Sequence, residues 1–551
     1  MSRVWGPGHS RSRVRSLALT TLALLALLLA VLLPAGGDDR RPATLTAPGI
    51  SVVPAQFVAK MYTEALGRGP DPGGWRFWLD VFRNGGCSLQ TTSEVARRFY
   101  TSSEFLDRGY DTPARVLALY RGTLNRDPDQ GGFDHWTNAL GQGTSWSELV
   151  ELFIGSHEFA DLTAAMCGGR SSSYGYGSHA APTLPVSGTG FAGGTGEQLQ
   201  GLLDQTPAGG TVYLAQKAVV RVSAMLDIPA GVTLTTTGAP PPARYALQGR
   251  LVRASSFAAP LVRLESGAHL QNVWVDGQMG NPSRYVLEAI NVQTMGGTGT
   301  EVAGNKIANS AGWSNVQVFG SYEGLPCAST SVTGNLVTGY SSSHYAVGGQ
   351  THLVDGLSVA CENAVVRGNT IIDATDVGIV VFRARPAVQR TQVTGNYVIS
   401  AGNPAFGGMG IDSGHSHGAV SDFTGLAISG NHLWTGPDTH FDIGLVVGVR
   451  PWFGVRVDRG TGGRVTDNTS DGLAARVATG IAVSGLDNAT VRGNTIQFSV
   501  LSSGVVACPH VAIGIDADGF AQGVDVQRGG VRVSFLHPQG GGWGCIGLHD
   551  P

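Results

Sequence analysis

One short phrase recurs seven times between Gly304 and Asn494: an apolar residue, a spacer, Gly or Asp, then Asn, then mostly another apolar or β-branched position. The copies centre on Asn305, Asn335, Asn369, Asn396, Asn431, Asn468 and Asn494, and successive asparagines lie 26 to 37 residues apart. A fixed period of that length marks an array of stacked units, and it has to be read before any single helix or strand.

The residues of the phrase say what the unit is. Gly-Asn is a turn pair, because both residues tolerate positive φ. Val302 and Ile307, Val332 and Val337, and Val366 and Ile371 flank the turn and can point into one core. A coil of this kind cannot bury its apolar side alone. Stacked at about 4.8 Å on its neighbours, it pairs its backbone above and below and shares a continuous core. Asparagines stacked at one corner can then form a side-chain ladder.

On these residues the region from Gly194 to Pro551 resembles the right-handed parallel β-helix proteins of the pectate-lyase-like superfamily. Its start fits too: Leu199 to Leu214 reads as an amphipathic capping helix and a first strand, and Leu226 to Leu234 as the following coil. The expected fold is therefore mainly β, a right-handed parallel β-helix preceded by a small all-α module. That fold hosts lyases, hydrolases, epimerases, adhesins and tailspikes, so it does not name a reaction.

Export is expected. Arg3, Arg11, Arg13 and Arg15 precede an uncharged apolar run from Leu17 to Leu33, and Ala35 to Gly37 supplies small residues for cleavage. Residues 1–37 are thus a signal peptide or an uncleaved membrane anchor, and the rest is secreted or held at the cell surface. A net charge of −3 gives no electrostatic case for a nucleic-acid partner. Six cysteines in an exported chain favour disulfides. Cys327 and Cys361 each lie seven residues before the glycine of their repeat, Gly334 and Gly368, so stacking makes them vertical neighbours at disulfide distance. By elimination Cys87 pairs with Cys167 and Cys508 with Cys545.

A second repeat precedes the solenoid. Tyr62 to Trp78 recurs as Tyr120 to Trp136, offset by 58 residues, and the copies close on Ser102-Ser-Glu-Phe105 and Ser156-His-Glu-Phe159. Each reads as a helix, a Pro-Asp-x-Gly turn capping the next helix, and an aromatic docked back on the pair. The motif resembles a bacterial extracellular domain of unknown function, number 4214, which brings no activity with it. Asp71 and Asp129 are read as helix caps, with Arg68 and Arg126 pairing with those acids or capping a helix end. The module is assigned to residues 55–167, a Ser/Gly/Tyr-rich flexible linker to 168–193 and the β-helix to 194–551.

Chemistry on such a solenoid belongs on the outer face of a sheet. Aligning coils on Gly378, Gly410 and Gly444 stacks Arg383 over His415 and Arg385 over His417, puts Asp376 and Asp442 in one column, and sets Asp412 level with Asp516. Arg grips carboxylates in a fork, His transfers protons near neutral pH, and paired carboxylates protonate a leaving oxygen or hold Ca²⁺. Asp412, His415 and His417 are the candidate catalytic centre. Arg383, Arg385, Arg450, Asp376 and Asp442 would hold substrate, and Trp434 or Trp452 would stack on a sugar. Asp227, Asp276 and Asp355 stand singly beside strand-like runs and are read as turn residues. The signature motifs of polygalacturonases, pectate lyases and alginate epimerases are missing. The expected function is binding of an acidic polysaccharide or cell-surface glycan, with cleavage or epimerisation. The alternative is a non-catalytic surface or matrix protein.

Overall fold

The computed structural model describes residues 52–500, apart from segments 169–180, 279–287, 320–326, 340–344, 348–349, 383–387, 414–420, 449–459 and 484–485, together with short strands beyond residue 510. Two parts follow in chain order, a helical module and a right-handed parallel β-helix. No helix among the described residues is long and apolar enough to cross a membrane.

In the module, the two repeats use the same contacts. Asp71 accepts from the Gly74 amide and Asp129 from the Gly132 amide, both at 2.8 Å, at the starts of helices Pro72–Gly85 and Gln130–Gly141. Ser102 and Ser156 cap the turns that bury Phe105 and Phe159. Arg68 forks onto Glu104 at 2.6 and 3.0 Å, and Arg126 onto Glu158 at 2.6 and 2.8 Å. Arg68 also reaches Asp71, as expected, but the main partner in both copies is the glutamate of the closing motif. The repeated glycine is required sterically: a Cβ on Gly74 would lie 1.9 Å from the Tyr62 hydroxyl, and one on Gly132 2.6 Å from that of Tyr120. Cys87–Cys167 ties the loop after helix Pro72–Gly85 to the last helix of the module, His157–Cys167, with 5.3 Å between Cα atoms.

Each coil of the solenoid has three strands on three faces. Strands such as Glu301–Ala303 form one face, and the turn at Gly304-Asn305 leads to a second with Lys306–Ala308. The third carries longer strands such as Ser314–Phe319 and Val377–Phe382. All stack in parallel on the next coil. Val302, Ile307, Val332, Val337, Val366 and Ile371 point inward and belong to one core. The helix Gly196–Asp204 closes the first coil, with a reciprocal cap between Thr195 and Gln198. Cys327–Cys361 joins adjacent coils, Cα atoms 5.0 Å apart.

The asparagines stack as a buried ladder. The Oδ1 of Asn369 accepts from both the backbone N–H and the side-chain amide of Asn335, at 3.0 and 2.9 Å, while Asn335 Nδ2 also donates to Val302 O. The same three bonds repeat from Asn305 to Asn494. Gly304, Gly334, Gly368, Gly395, Gly430 and Gly493 supply the positive φ before each asparagine, and Asp467 does so where glycine is replaced.

The module lies on the second face of the solenoid. Trp274, Ile372, Ile399 and Trp434 point out of that face and are buried in the module's own core. Beside them lies a buried ionic network. Glu64 of the module is 2.8 Å from both Arg121 Nε and Lys306 Nζ. Asp127 bridges Arg121 at 2.9 Å and Arg250 at 2.7 Å, and Arg250 continues to Asp276 at 2.6 Å. The Arg250 guanidinium lies 3.7 Å from the centre of the Trp274 ring, and Lys306 Nζ 3.4 Å from that of Tyr245. Burial would raise the Glu64 carboxyl, but Arg121 and Lys306 hold it well below the usual carboxylate range. Burial pulls the Lys306 ammonium down to about 7. Asp276 thus holds the turn after its strand, its Oδ1 accepting from the Gln278 amide at 2.9 Å, and also pairs with Arg250; Asp227 bonds Arg263.

Of the segment expected to be a linker, residues 181–193 pack on the solenoid. Ser187 pairs with Gln216 and Phe191 with Leu214, and Ala181 and Leu184 are buried. The described part of this segment is a strap.

Candidate functional site

The third face carries the acidic residues singled out in the sequence. Its central strands are Asp355–Ala360, Val377–Phe382, Ala405–Asp412 and Phe441–Val447. Val377 pairs with Gly407 and Gly407 with Ile443, so Asp376 and Asp442 do share a column. The same register sets Gly408, not Gly410, level with Gly378 and Gly444. The reason is steric. A Cβ at Gly378 would meet Val398 Cγ1 at 2.3 Å, and one at Gly408 would meet Leu433 Cδ2 at 2.4 Å, where the second and third faces converge. The segment from Gly407 to Gly410 offers three glycines, and spacing alone chose the wrong one.

The two-residue shift changes the site. Asp412 pairs with Phe382 rather than standing level with Val380. Ile411, Val447, Val483 and Ile513 form one row, which brings Gly514 rather than Asp516 to the height of Asp412. Arg383, Arg385, His415, His417, Arg450, Trp452, Cys508 and Cys545 lie outside the described residues.

The carboxylates fall into two groups. Asp355 is buried at the start of its strand, where it accepts from Ser358 Oγ at 2.7 Å and from the Val377 amide at 3.1 Å. It is more than the turn residue expected from the sequence, since it faces Asp376 across adjacent coils. Burial, then the charge of Asp376, pushes the Asp355 carboxyl well up. Burial pushes Asp376 up to about 6. Asp412, also buried, lies at the opposite end of the strand pair. Asp376 is six residues along the strand from Phe382, the partner of Asp412, a backbone separation of roughly 20 Å at about 3.3 Å per residue, and the charge of Asp412 still adds to the rise of the Asp355 carboxyl. Asp442 is half-buried and has His440 Nε2 at 3.3 Å.

Trp434 cannot stack on a sugar, because it is fully buried in the contact between solenoid and module. Its place after the Asn431 turn gave the signal. Residues two positions after each asparagine point inward and those three positions after point out, toward whatever covers the second face. Among the described residues no group of three His, Cys, Asp or Glu side chains is placed to hold a metal ion.

Residues 46–109 and 96–163 match the family described as Domain of unknown function (DUF4214), two overlapping matches that follow the tandem repeat. No match was found among curated proteins. Among solved structures the chain is similar to the endo-xylogalacturonan hydrolase from Aspergillus tubingensis, with 13% identity and a TM-score of 0.36 over 63% of this chain and 94% of that one. It is similar to endopolygalacturonase I from Stereum purpureum, with 13% identity and a TM-score of 0.34 over 61% and 96%. It is also similar to PfbA, a surface adhesin of Streptococcus pneumoniae, with 10% identity and a TM-score of 0.32 over 63% and 90%. The chain joins a tandem DUF4214 module to a right-handed parallel β-helix.

Proposed function

We propose that this is an extracytoplasmic protein whose β-helix binds an acidic polysaccharide and acts on it by proton transfer. The observation that carries the reading is the alignment of three strand ends. Val377–Phe382, Ala405–Asp412 and Phe441–Val447 stack in register and end side by side. The segments that leave them hold Arg383, Arg385, His415, His417 and Arg450, the residue types that grip a carboxylate and move protons. Two disulfides support an oxidising compartment. A Ca²⁺ ion bound with the substrate belongs to the same proposal.

The test incubates the purified exported chain with acidic and neutral polysaccharides, with and without Ca²⁺. Binding is followed by affinity electrophoresis, and products as reducing and unsaturated ends. Retardation by acidic chains only, weakened in an Arg383→Gln/Arg450→Gln variant, is the expected result. Equal migration in every gel would remove the reading.

A second reading, a non-catalytic surface protein, is favoured by one observation. Asp355 spends both carboxyl oxygens on Ser358 and the Val377 amide, which is a structural use. Binding without any product would select it.

A further inference from the structure

The seam where the module covers the second face of the solenoid encloses a cluster of charged side chains away from water. Among the described residues its cations are Lys60, Arg121, Arg250 and Lys306, and its carboxylates are Glu64, Asp127 and Asp276, each at most 3% exposed. They come from both sides of the seam. Lys60 ends helix Ala55–Lys60, Glu64 lies in the helical turn that follows, and Arg121 is in helix Thr112–Thr123. Arg250, Asp276 and Lys306 stand on second-face strands of successive coils.

The charges do not cancel. Lys306 Nζ is 2.8 Å from both Glu64 oxygens, and Arg121 Nε is 2.8 Å from one of them. Arg121 and Arg250 share Asp127, and Arg250 also holds Asp276. Lys60 adds a further cation beside Glu64, Arg121 and Lys306. The walls are aromatic: Lys306 Nζ lies 3.4 Å from the centre of the Tyr245 ring and 5.1 Å from that of Trp274. Ring faces ease the burial of a cation, but they do not replace a counterion. A guanidinium keeps its proton, and burial holds the Tyr245 proton in place. The surplus charge can leave only from a lysine.

We propose that this seam is a proton-linked latch: docking of the module expels one proton from the Lys60–Lys306 pair, so the seam tightens as pH rises and loosens on acidification. The latch does not depend on what the third face binds. Burial pulls the Lys306 ammonium down to about 7; Glu64 opposes the fall and Arg121 adds to it. Burial also holds Lys60 well below the usual lysine range, with Glu64 opposing and Arg121 and Lys306 adding. An unfolded lysine titrates at about 10.4. Between pH 7 and that value the unfolded chain carries a proton that the closed seam lacks, so stability rises with pH through this window. The charged groups facing the two lysines are Glu64, Arg121 and Asp127 from the module and Arg250 and Asp276 from the solenoid, with the Tyr245 hydroxyl between them donating to Glu64 O. Two other buried carboxyls at the seam, Asp373 against Gln56 and Asp438 against the Val53 amide, are raised by burial and act in the opposite sense. A comparison of variants with wild type removes their contribution.

The test is chemical denaturation of the full exported chain at pH 6, 7, 8 and 9, followed by the circular dichroism of the module's helices. Lys306→Met and Lys60→Met each remove the surplus cation, so neither variant should expel a proton on folding. Between pH 7 and pH 9 the unfolding constant of each variant, divided by that of wild type, should rise roughly 10-fold per pH unit. Lys217→Met removes a lysine that is ion-paired with Asp111 at the same seam, and its ratio to wild type should stay constant. Should Lys306→Met fail to fold, Lys60→Met decides by the same ratio. A constant ratio in the folded lysine variants overturns the latch. An equal rise in Lys217→Met overturns it too, because the proton would then not belong to the buried pair.

Discussion

Asn305 and Lys306 are neighbours in sequence and belong to opposite kinds of structure. Asn305 is one rung of a ladder that runs on to Asn494, and its side-chain amide and backbone N–H both donate to the next copy, Asn335. Lys306 occurs once. The same position in other coils is Trp274, Leu336, Thr370, Tyr397, His432 and Thr469. Its partner, Glu64, is 242 residues away in the module. A position that points along the stack is set by the stack. A position that points out is set by whatever covers it, so it varies from coil to coil.

The largest expected effect comes from breaking the one-off contact. Glu64→Ala leaves Lys306 and Arg121 without their shared carboxylate in a site closed to water, which should cost about 3–5 kcal/mol. Chemical denaturation measures it. Lys306 already titrates at about 7, so the variant can shed the unpaired charge by deprotonation. Its loss should therefore be smaller at pH 9 than at pH 6. An equal loss at both would mean that Arg121 carries the whole penalty.

The repeated contact should break less severely. Asn369→Ala removes the acceptor of two donors on Asn335 and the donor to Val332 O. Unmet buried groups cost roughly 1–3 kcal/mol each, offset here by relaxation of the neighbouring coils, so a loss of about 2–4 kcal/mol is expected. Asn494→Ala, at the partly buried end of the ladder, should lose about 1 kcal/mol. A flat series along the ladder would show that each rung acts independently.

How much was legible follows from the same contrast. The repeats, the Cys327–Cys361 disulfide, the helix caps and the asparagine ladder could be read because each is a spacing that stacking or a turn enforces, and Cys87–Cys167 followed from it by elimination. Glu64, Arg121 and Arg250 could not, because nothing local marks a charge whose partner is in another module. Trp434 was misread for that reason: an outward aromatic looks like a sugar platform until the covering helices are known. The register at Gly408 failed differently. Glycine marked the correct kind of position, but only the contact with Leu433 tells which glycine fills it.

Asp376, beside Asp355, tests the cost of burying a carboxylate next to another. Asp376 has its carboxyl raised to about 6, above the roughly 3.9 of an unfolded chain. A raised acid favours the folded state at low pH, and that advantage is lost as pH rises through the window from about 4 to about 6. Asp376→Asn should therefore stabilise the chain by about 1–2 kcal/mol at pH 8 and by nothing measurable at pH 4. Equal effects at both would mean that Asp355 holds the shared proton.

The smallest effect separates burial from geometry. Arg97 forks onto Glu151 at 2.5 and 2.9 Å, a bond pattern as good as any in the buried network. Its side chain is 38% exposed and that of Glu151 51%. Water and salt screen such a pair, and holding two long side chains costs entropy, so Arg97→Gln should lose about 0.5 kcal/mol, less in high salt. The Arg121–Glu64 bond differs from it chiefly in being 3% and 2% exposed. If Arg97→Gln cost as much as Glu64→Ala, the fork itself would be the source of stability. The expected several-fold gap would instead mean that most of the loss on breaking the interior pair is the cost of stranding a charge away from water.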